Sequence, residues 1–204
     1  KQLPVRSPIN SFLENEELSK PSTTIIYPKY EDLEPMEVDL DGLSKIISEL
    51  TNENDWLEQF GAIEKLRRLN KYQNKIIVPL LPAVMDKLPT LVSNIKSGLS
   101  KHSLLFVKEL FELKSENHRD EMTISILPCL LKESVNIKNF IALEAKQALK
   151  NISSTYSDSI TFFLLNEIIV NTNMKITDNA LTCLLHMIQN INSKDIKNIE
   201  LKKL

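Results

Sequence analysis

The stretch of sequence that decides the fold is NFIALEAKQALKNI, residues 139–152. Its apolar residues recur at intervals of three and four positions, which is the period of one face of an α-helix. They are Ile141, Ala145, Ala148, Leu149 and Ile152. An isolated helix of this length is marginal in water, so the apolar face must be buried against other elements. We therefore expect the rest of the chain to supply further helices.

The same period continues in both directions and divides the chain into antiparallel helix pairs of about 40 residues. We predict four pairs and the first helix of a fifth, at residues 41–70, 74–114, 119–152, 157–191 and 194–204. Polar turns separate the two helices of each pair, and Asp55 is placed to cap the second helix of the first pair. Pro79, Pro82 and Pro89 predict a kinked or segmented first helix in the second pair.

Two short motifs show that the pairs are repeats. LPAVM at 81–85 and LPCLL at 127–131 share a Leu-Pro-x-apolar-apolar core, 46 positions apart. Each motif lies in the first helix of its pair. Repeated helix pairs of this length stack into a solenoid, because each pair exposes an apolar face that only a neighbouring pair can cover. The predicted fold is therefore an all-α HEAT-repeat solenoid, with the turns inside the pairs along one edge.

Residues 1–38 differ from the rest of the chain. They contain five of the nine prolines and carry a net charge of −3, from four basic and seven acidic residues, whereas residues 39–204 carry a net charge of +1. We predict an extended N-terminal segment with one short helix over residues 11–18. Ordering such a segment costs entropy that buried apolar area must offset. We therefore expect it to pack on the helical body, or on a partner, through Ile25, Ile26, Tyr27 and Tyr30.

The composition excludes several classes of function. With 42% hydrophobic residues the chain can bury a core, and only three glycines disfavour β-hairpin turns and phosphate-binding loops. Its apolar runs are far shorter than the roughly 20 residues that span a bilayer. The nearly neutral helical part lacks the basic surface that nucleic acid requires. We expect neither nucleic acid nor a membrane as a partner. Because the sequence starts at Lys1 without a methionine and shows no charged-then-apolar leader, we expect an excerpt of a longer protein and not a secreted precursor.

No catalytic or metal-binding constellation is present in the sequence. His102, His118 and His186 are far apart, and none has the spacing of a zinc motif or of a Cys/His nucleophile pair. Cys129 and Cys183 lie among apolar helical residues, which predicts buried thiols in a reducing cytosolic compartment. We therefore predict that the protein is not an enzyme and uses no cofactor and no metal.

An aromatic residue and several lysines recur once per pair, in or beside the turn between the two helices. Trp56, Lys96, Lys138 and Lys175 are separated by 40, 42 and 37 positions, and Lys101 accompanies Lys96. In a solenoid this spacing brings all of them to one edge. Two interpretations stay open at this point. The strip is either a binding surface for an acidic protein, or a set of ordinary turn lysines with Trp56 anchoring a helix.

Three stretches resemble TOG domains of the CLASP and crescerin (TOGARAM) type, which are HEAT-repeat arrays that bind tubulin. The first looks like the opening repeat, where a tryptophan stands in the turn, and the other two look like the second and third repeats. They are DWLEQF (55–60) with AIEKLRRL (62–69), VSNIKSGLSK (92–101) with LL (104–105) and VKELF (107–111), and NFI (139–141) with EA (144–145) and AL (148–149). The likeness covers about residues 39–191.

The resemblance implies a non-catalytic module of a larger microtubule-regulating or ciliary protein, located in the cytoplasm on the cytoskeleton or in the cilium. The implied partners are αβ-tubulin or microtubules, and after them other cytoskeletal or ciliary proteins. The implied contact residues are Trp56, Lys96, Ser97, Lys101, Lys138, Asn139 and Lys175.

Two departures from the family pattern favour a second interpretation. The third repeat has Ala142 where the family has an arginine, and the turn at 171–175 has one lysine where a basic pair is usual. The alternative is a HEAT-repeat scaffold that has lost tubulin binding and binds another protein or a peptide.

Overall fold

The computed structural model of the chain describes residues 27–112 and 119–191, and every regular element within them is helical. The elements are α1 (Leu40–Thr51), α2 (Trp56–Tyr72), α3 (Asn74–Ile77), a 3₁₀ turn (Val78–Leu80), α4 (Leu81–Val92), α5 (Ser97–Glu112), α6 (Arg119–Glu133), α7 (Asn139–Ile152), α8 (Asp158–Val170) and α9 (Met174–Gln189). This confirms the predicted all-α class. The short helix predicted at 11–18, the partial fifth pair at 194–204, His118, Ile25 and Ile26 lie outside the described residues.

Local side chains fix where several helices begin. The carboxylate of Asp39 accepts a hydrogen bond from the Gly42 N–H at 2.8 Å at the start of α1. Asp55 caps α2 as the sequence predicted, accepting from the N–H groups of Leu57 and Glu58 at 2.9 and 3.2 Å. Each cap satisfies N–H groups that have no partner inside the helix. The helix boundaries are therefore encoded close to the boundaries themselves.

Prolines divide the first helix of the second pair, as predicted. Pro79 lies in the 3₁₀ turn that separates α3 from α4, and Pro82 lies in the first turn of α4. Pro128, the counterpart of Pro82 in the repeated motif, lies inside the continuous helix α6. The two motifs therefore occupy different positions in their helices, because two prolines remove two N–H donors within one turn in the second pair.

The helices form two layers. Each pair packs internally, α1 on α2, α4 on α5, α6 on α7 and α8 on α9. The first helices of successive pairs contact one another, and α2, α5 and α7 pack side by side in the second layer. The fully buried Ala145 and Ala148 of α7 allow close approach of α5. This arrangement is a HEAT-like solenoid, as predicted, and it places the turns inside the pairs on the same edge.

Residues 27–38, which we call the N-terminal strap, lie in an irregular conformation against α2. Leu33 is anchored in the body with 2% of its surface exposed. Three consecutive side chains of α2 and its C-cap, Lys71, Tyr72 and Gln73, donate hydrogen bonds to backbone carbonyls of the strap. The acceptors are Tyr30, Glu31 and Leu33 for Lys71 Nζ (2.7, 2.9 and 3.1 Å), Leu33 for Tyr72 (2.6 Å), and Met36 for Gln73 (2.7 Å).

A buried ion pair lies beneath the strap. The Arg67 guanidinium donates to both carboxylate oxygens of Glu109, at 2.8 and 2.5 Å, and to the carbonyl of Pro28 at 3.0 Å. Burial raises the pKa of the Glu109 carboxyl, and the hydrogen bond and charge of Arg67 oppose that rise. The strap therefore supplies one of the acceptors that this buried cation needs.

An aromatic cluster lies beside the ion pair. The His102 ring stacks on Phe60 with centroids 3.9 Å apart, and Tyr27 of the strap lies 6.0 Å from His102. Neither ring nitrogen of His102 has a hydrogen-bond partner among the described residues. Burial, with a smaller contribution from the charge of Arg67, lowers the pKa of His102 to about 3. His102 is therefore neutral at physiological pH.

Candidate functional site: the turn edge

The four turns inside the helix pairs form one edge of the solenoid, at residues 52–57, 94–97, 136–140 and 171–175. We call this surface the turn edge. Helices packed side by side are about 8–10 Å apart, so neighbouring turns are separated by a similar distance. A partner that lies along the edge can therefore contact several turns at once.

The second and third turns are built in the same way. The Asn94 side-chain oxygen accepts from the N–H of Lys96 at 2.9 Å, and the Asn136 side-chain oxygen accepts from the N–H of Lys138 at the same distance. An asparagine that binds the N–H two residues later forms an Asx turn, which fixes the chain just before the helix begins. The residue in the middle is thereby held at the tip, and it is an isoleucine in both turns.

The fourth turn has the same Asx hydrogen bonds in a different register, because Asn173 is the N-cap of α9 and its apolar tip residue, Met174, is the first residue of that helix. Asn173 accepts from the N–H of Lys175 at 3.1 Å, and Asn171 accepts from the N–H of Asn173 at 2.9 Å. The Asx turn at Asn171 therefore precedes the N-cap bond of Asn173. The signal Asn-apolar-Lys recurs at 94–96, 136–138 and 173–175.

The tip side chains are apolar and project into solvent. Ile95 is 89% exposed, Ile137 is 95% exposed and Met174 is 72% exposed. Single exposed apolar residues are common on protein surfaces, but Ile95 and Ile137 before α5 and α7, together with Met174 at the start of α9, form a patterned surface on one edge. Burying an isoleucine or methionine side chain fully contributes about 1.5–3 kcal/mol. The turn edge therefore exposes apolar area that is available for burial against a partner.

The first turn is different, because its aromatic residue is partly used by the core. Trp56, the first residue of α2, is half-buried and packs against the hydrophobic core. Asn52 and Asp55 organise this turn through hydrogen bonds to the backbone of Asn54 and Leu57, and Leu57 is exposed. Trp56 thus anchors α2 and also presents part of its surface at the edge.

Three of the predicted lysines stand free at the edge. Lys96, Lys138 and Lys175 are exposed, and none of them forms an ion pair with any residue in 27–112 or 119–191. Asn139 is exposed beside Lys138, and Ser97 is half-buried beside Lys96. Each turn except the first therefore combines one apolar tip with one free ammonium group.

Lys101 has a different environment from the other predicted lysines. It is one turn into α5, and its Nζ lies 4.6 Å from the centroid of the Tyr27 ring and 5.8 Å from that of Phe140. A cation held over an aromatic face is stabilised by about 0.5–2 kcal/mol. Lys101 therefore connects the strap, α5 and α7.

Sequence reasoning identified the lysines of the turn edge and missed the rest of each turn. The asparagines and the apolar tips were readable, because the triplet Asn-apolar-Lys occurs at the same step as the lysines. An asparagine whose side chain accepts from the N–H two residues later is a turn signal with a known mechanism. Its threefold repetition at intervals of 42 and 37 positions distinguishes these turns from ordinary lysine-containing turns.

The described part of the chain shows no other reactive constellation. Its histidine, cysteine, aspartate and glutamate side chains nowhere cluster in a way that could hold a metal ion. Both cysteines are free, and burial raises the pKa of the Cys183 thiol to about 12. Among the helices of residues 27–112 and 119–191, none has the length and apolar character that a membrane crossing requires.

Comparison with protein families gives one match that covers most of the chain. The family model described as CLASP N terminal matches residues 36–203. Comparisons with curated proteins and with solved structures gave no match. The matched residues include α1–α9 and all four turns of the turn edge.

Proposed function

The chain belongs to the CLASP N-terminal family of TOG-type, microtubule-associated helical domains, and we propose that it binds αβ-tubulin through its turn edge. In this proposal it acts by binding, without chemistry, as one module of a larger microtubule-regulating protein of the cytoskeleton or the cilium. The family is one of non-enzymatic binding domains. The turn edge is the surface that equips this member for that role.

The observation that carries the proposal is the repeated tip. At three turns, an exposed apolar side chain is held next to a free lysine by an asparagine side chain. Apolar area that becomes buried supplies affinity, and lysines around it steer an acidic partner and fix its position. Because the turns are held before the partner arrives, little ordering entropy is lost on binding.

The residues of the edge have different roles in this proposal. Ile95, Ile137 and Met174 supply apolar contact area, and Trp56 adds the part of its ring that the core does not cover. Lys96, Lys138 and Lys175 face acidic groups of the partner. Ser97 and Asn139, at the starts of α5 and α7, border the second and third tips. Lys101 contributes less direct attraction, because the Tyr27 and Phe140 rings already hold its ammonium group.

The first test replaces two tips. Ile95→Ser with Ile137→Ser should weaken binding to unpolymerised αβ-tubulin at least tenfold, measured by titration and by co-elution in size-exclusion chromatography, because the contact loses two apolar side chains. The free energy of unfolding should change by less than about 0.5 kcal/mol, because both tips are exposed. The matched control is Leu40→Ser, which removes an exposed apolar side chain at the far end of α1.

The second test reverses two charges. Lys96→Glu with Lys138→Glu should slow association and weaken the complex, and the parent complex should weaken as salt is raised. Lys45→Glu with Lys75→Glu is the matched control, since both lysines are exposed and lie on α1 and α3. If both edge variants bind as tightly as the parent, the turn edge is not the contact surface. If the parent itself does not bind tubulin, the scaffold interpretation replaces this proposal.

A further inference from the structure

The second layer of the solenoid opens between its last two helices. The fully buried Ala145 and Ala148 let α7 pack closely on α5, whereas α7 contacts α9 over a much smaller surface. A cavity of about 290 Å³ lies between α7 and α9. We call it the α7–α9 groove and define it by Lys146, Leu149 and Lys150 of α7 and by Asn179, Cys183 and His186 of α9.

Hydrogen bonds mark the two ends of the groove. At one end, Asn179 Nδ2 donates to the hydroxyl of Ser134, which follows α6, at 2.7 Å. At the other end, the Ser153 hydroxyl and His186 Nδ1 are hydrogen-bonded to each other at 2.9 Å. Asn179 and His186 are about 10 Å apart along α9, at a rise of about 1.5 Å per residue. The groove is therefore short, and the polar side chains at its ends already have partners.

The floor between these ends is apolar and uncharged. Leu149 and Cys183 are buried, and burial raises the pKa of the Cys183 thiol to about 12, so the thiol stays protonated. Ligand pockets are typically about 300–1,000 Å³ in volume, so this groove is at the small end of the range. The floor therefore suits one large apolar side chain.

The rim of the groove is positively charged. Lys146 and Lys150 are both exposed, and neither forms an ion pair with a described residue. No carboxylate is among the described residues that line the groove. Two lysines four positions apart on a helix lie on one face, so both ammonium groups can approach the same ligand. The groove therefore fits a ligand that combines an apolar side chain with two carboxylates.

The spacing of the two lysines indicates the form of that ligand. Lys146 and Lys150 are about 6 Å apart along the axis of α7. In an extended chain, side chains two positions apart project to the same side at a separation of about 7 Å, and the side chain between them projects to the opposite side. A chain with its carboxylates toward α7 therefore directs the middle side chain away from the lysines, into the groove. Three extended residues cover its length of about 10 Å.

We propose that the α7–α9 groove binds an extended acidic segment of another protein, in which one large apolar side chain lies between two carboxylates. The apolar side chain packs on Leu149 and Cys183, and the carboxylates face Lys146 and Lys150. Charge complementarity selects this occupant, because a ligand with a single carboxylate would leave one lysine unpaired. The site is distinct from the turn edge, since Lys146 lies about two turns into α7, and it does not depend on tubulin binding.

Titration of the full 204-residue chain with a synthetic peptide tests the proposal. The probe is acetyl-Gly-Glu-Phe-Glu-Gly-amide, and the readout is the NMR shifts of backbone amides. Saturable shifts at Leu149, Lys150, Cys183 and His186 are expected, with a Kd below about 1 mM. Glutamine in place of both peptide glutamates, or serine in place of its phenylalanine, should each weaken binding at least fivefold. No saturable shift in the groove, or equal binding of the serine peptide, would overturn the proposal.

Charge reversal on the protein locates the carboxylates of the probe. Lys146→Glu with Lys150→Glu should weaken binding of the peptide at least tenfold, and the fold should be retained because both lysines are exposed. Lys45→Glu with Lys75→Glu, on α1 and α3, should leave binding unchanged. Equal losses in the two double variants would mean that only the net charge matters, and the assignment to the groove would be wrong.

A bulky side chain in the groove locates the apolar contact. Thr182 is exposed and lines the groove, so Thr182→Trp should block the site without disturbing the core. Gln189→Trp adds the same side chain at the exposed last residue of α9 and should bind the peptide like the parent. Undiminished binding by Thr182→Trp would contradict the proposed position of the peptide.

Three further measurements separate this site from other surfaces and other ligands. Ile95→Ser with Ile137→Ser should bind the peptide as tightly as the parent, so failure of this site and failure of the turn edge are distinguishable. Decanoate is the second probe, and its tighter binding at the same amides would assign the groove to a singly charged amphiphile and overturn the proposal. Self-association of the parent that Lys146→Glu with Lys150→Glu abolishes would assign the groove to a second copy, with the same consequence.

Discussion

The first two helix pairs and the fourth pair differ in how far their outer surfaces are covered. In the first two pairs, the N-terminal strap lies across α2, and α2 side chains bind its carbonyls. On the fourth pair, Phe162 and Ile169 of α8 are 76% and 80% exposed, and Leu181, Leu185 and Ile188 of α9 are also exposed. Within the described residues no element covers this face of α8 and α9.

The difference shows what a helix pair needs in order to bury its surface. A pair inside the array is covered by its neighbours, and at the first two pairs the strap adds cover in the form of one anchoring leucine and a row of backbone acceptors. Side chains of α2 donate hydrogen bonds to backbone carbonyls of the strap. Every residue type has such a carbonyl, so these contacts do not depend on the side chains of the strap. The fourth pair instead exposes large apolar side chains, which only another apolar surface could bury favourably.

The largest expected effect comes from breaking the ion pair beneath the strap. Glu109→Ala should lower the free energy of unfolding by about 3–5 kcal/mol, because it leaves the Arg67 guanidinium buried without its counter-charge. Urea denaturation measures the loss. Glu112→Ala, an exposed glutamate on the same helix, is the control and should change stability little. The double variant Arg67→Met, Glu109→Leu should recover most of the loss. If Glu109→Ala unfolds like the parent, the covered region is not held by this pair.

The next effect comes from the anchor of the strap. Leu33→Ala should cost about 2–3 kcal/mol, since a buried leucine loses most of its contacts, while partial collapse of the strap limits the cavity that remains. Amides of residues 28–38 should exchange faster in this variant, while those of α5 and α7 keep their protection. Leu40→Ala, at a residue 81% exposed, is the matched control. Equal effects of the two substitutions would mean that the strap does not cover the body in solution.

A third prediction uses pH to probe the covered cluster. The pKa of His102 is lowered from 6.5 to about 3 in the folded chain. Below pH 6.5 the unfolded chain therefore binds a proton that the folded chain excludes, and this contribution to stability falls as pH falls toward 3. Between pH 7 and pH 5 the loss of stability from this proton amounts to about 2 kcal/mol. His102→Phe, which keeps the ring stacked on Phe60, should remove it. The difference between parent and variant in chemical denaturation at the two pH values measures it, and parallel losses would contradict the assignment.

The smallest effect is expected on the uncovered face. Phe162→Ser and Ile169→Ser should each change the free energy of unfolding by less than about 0.5 kcal/mol, because both side chains are largely exposed and support few contacts. The measurement is the same urea titration. A loss above about 2 kcal/mol in either variant would show that a surface covers α8 in solution, and the contrast between the two regions would then disappear.

Much of the fold was predictable because its signals are local or periodic. Asp55 caps α2, and Pro79 breaks a helix through its missing N–H, wherever the helix later packs. The period of Ile141, Ala145 and Ala148 identifies the buried face of α7 without knowledge of its neighbours. At the turn edge, the lysines could be predicted from their spacing. The asparagines two positions before these lysines recur at the same intervals, so they could have been predicted from spacing equally well.

What the sequence by itself determined is the set of helices, their pairing and the edge on which their turns lie, since these follow from helix periodicity and short turns. Tertiary structure alone decided which side chains meet across pairs. Arg67 finds Glu109, 42 positions away, and Lys71 finds the carbonyl of Leu33, 38 positions away. Only the folded chain shows that Lys101 is held by Tyr27 and Phe140 and that the core covers part of Trp56. Such contacts depend on the rotation and separation of packed helices, and a difference of a few ångströms in either changes the partner while the sequence pattern stays the same.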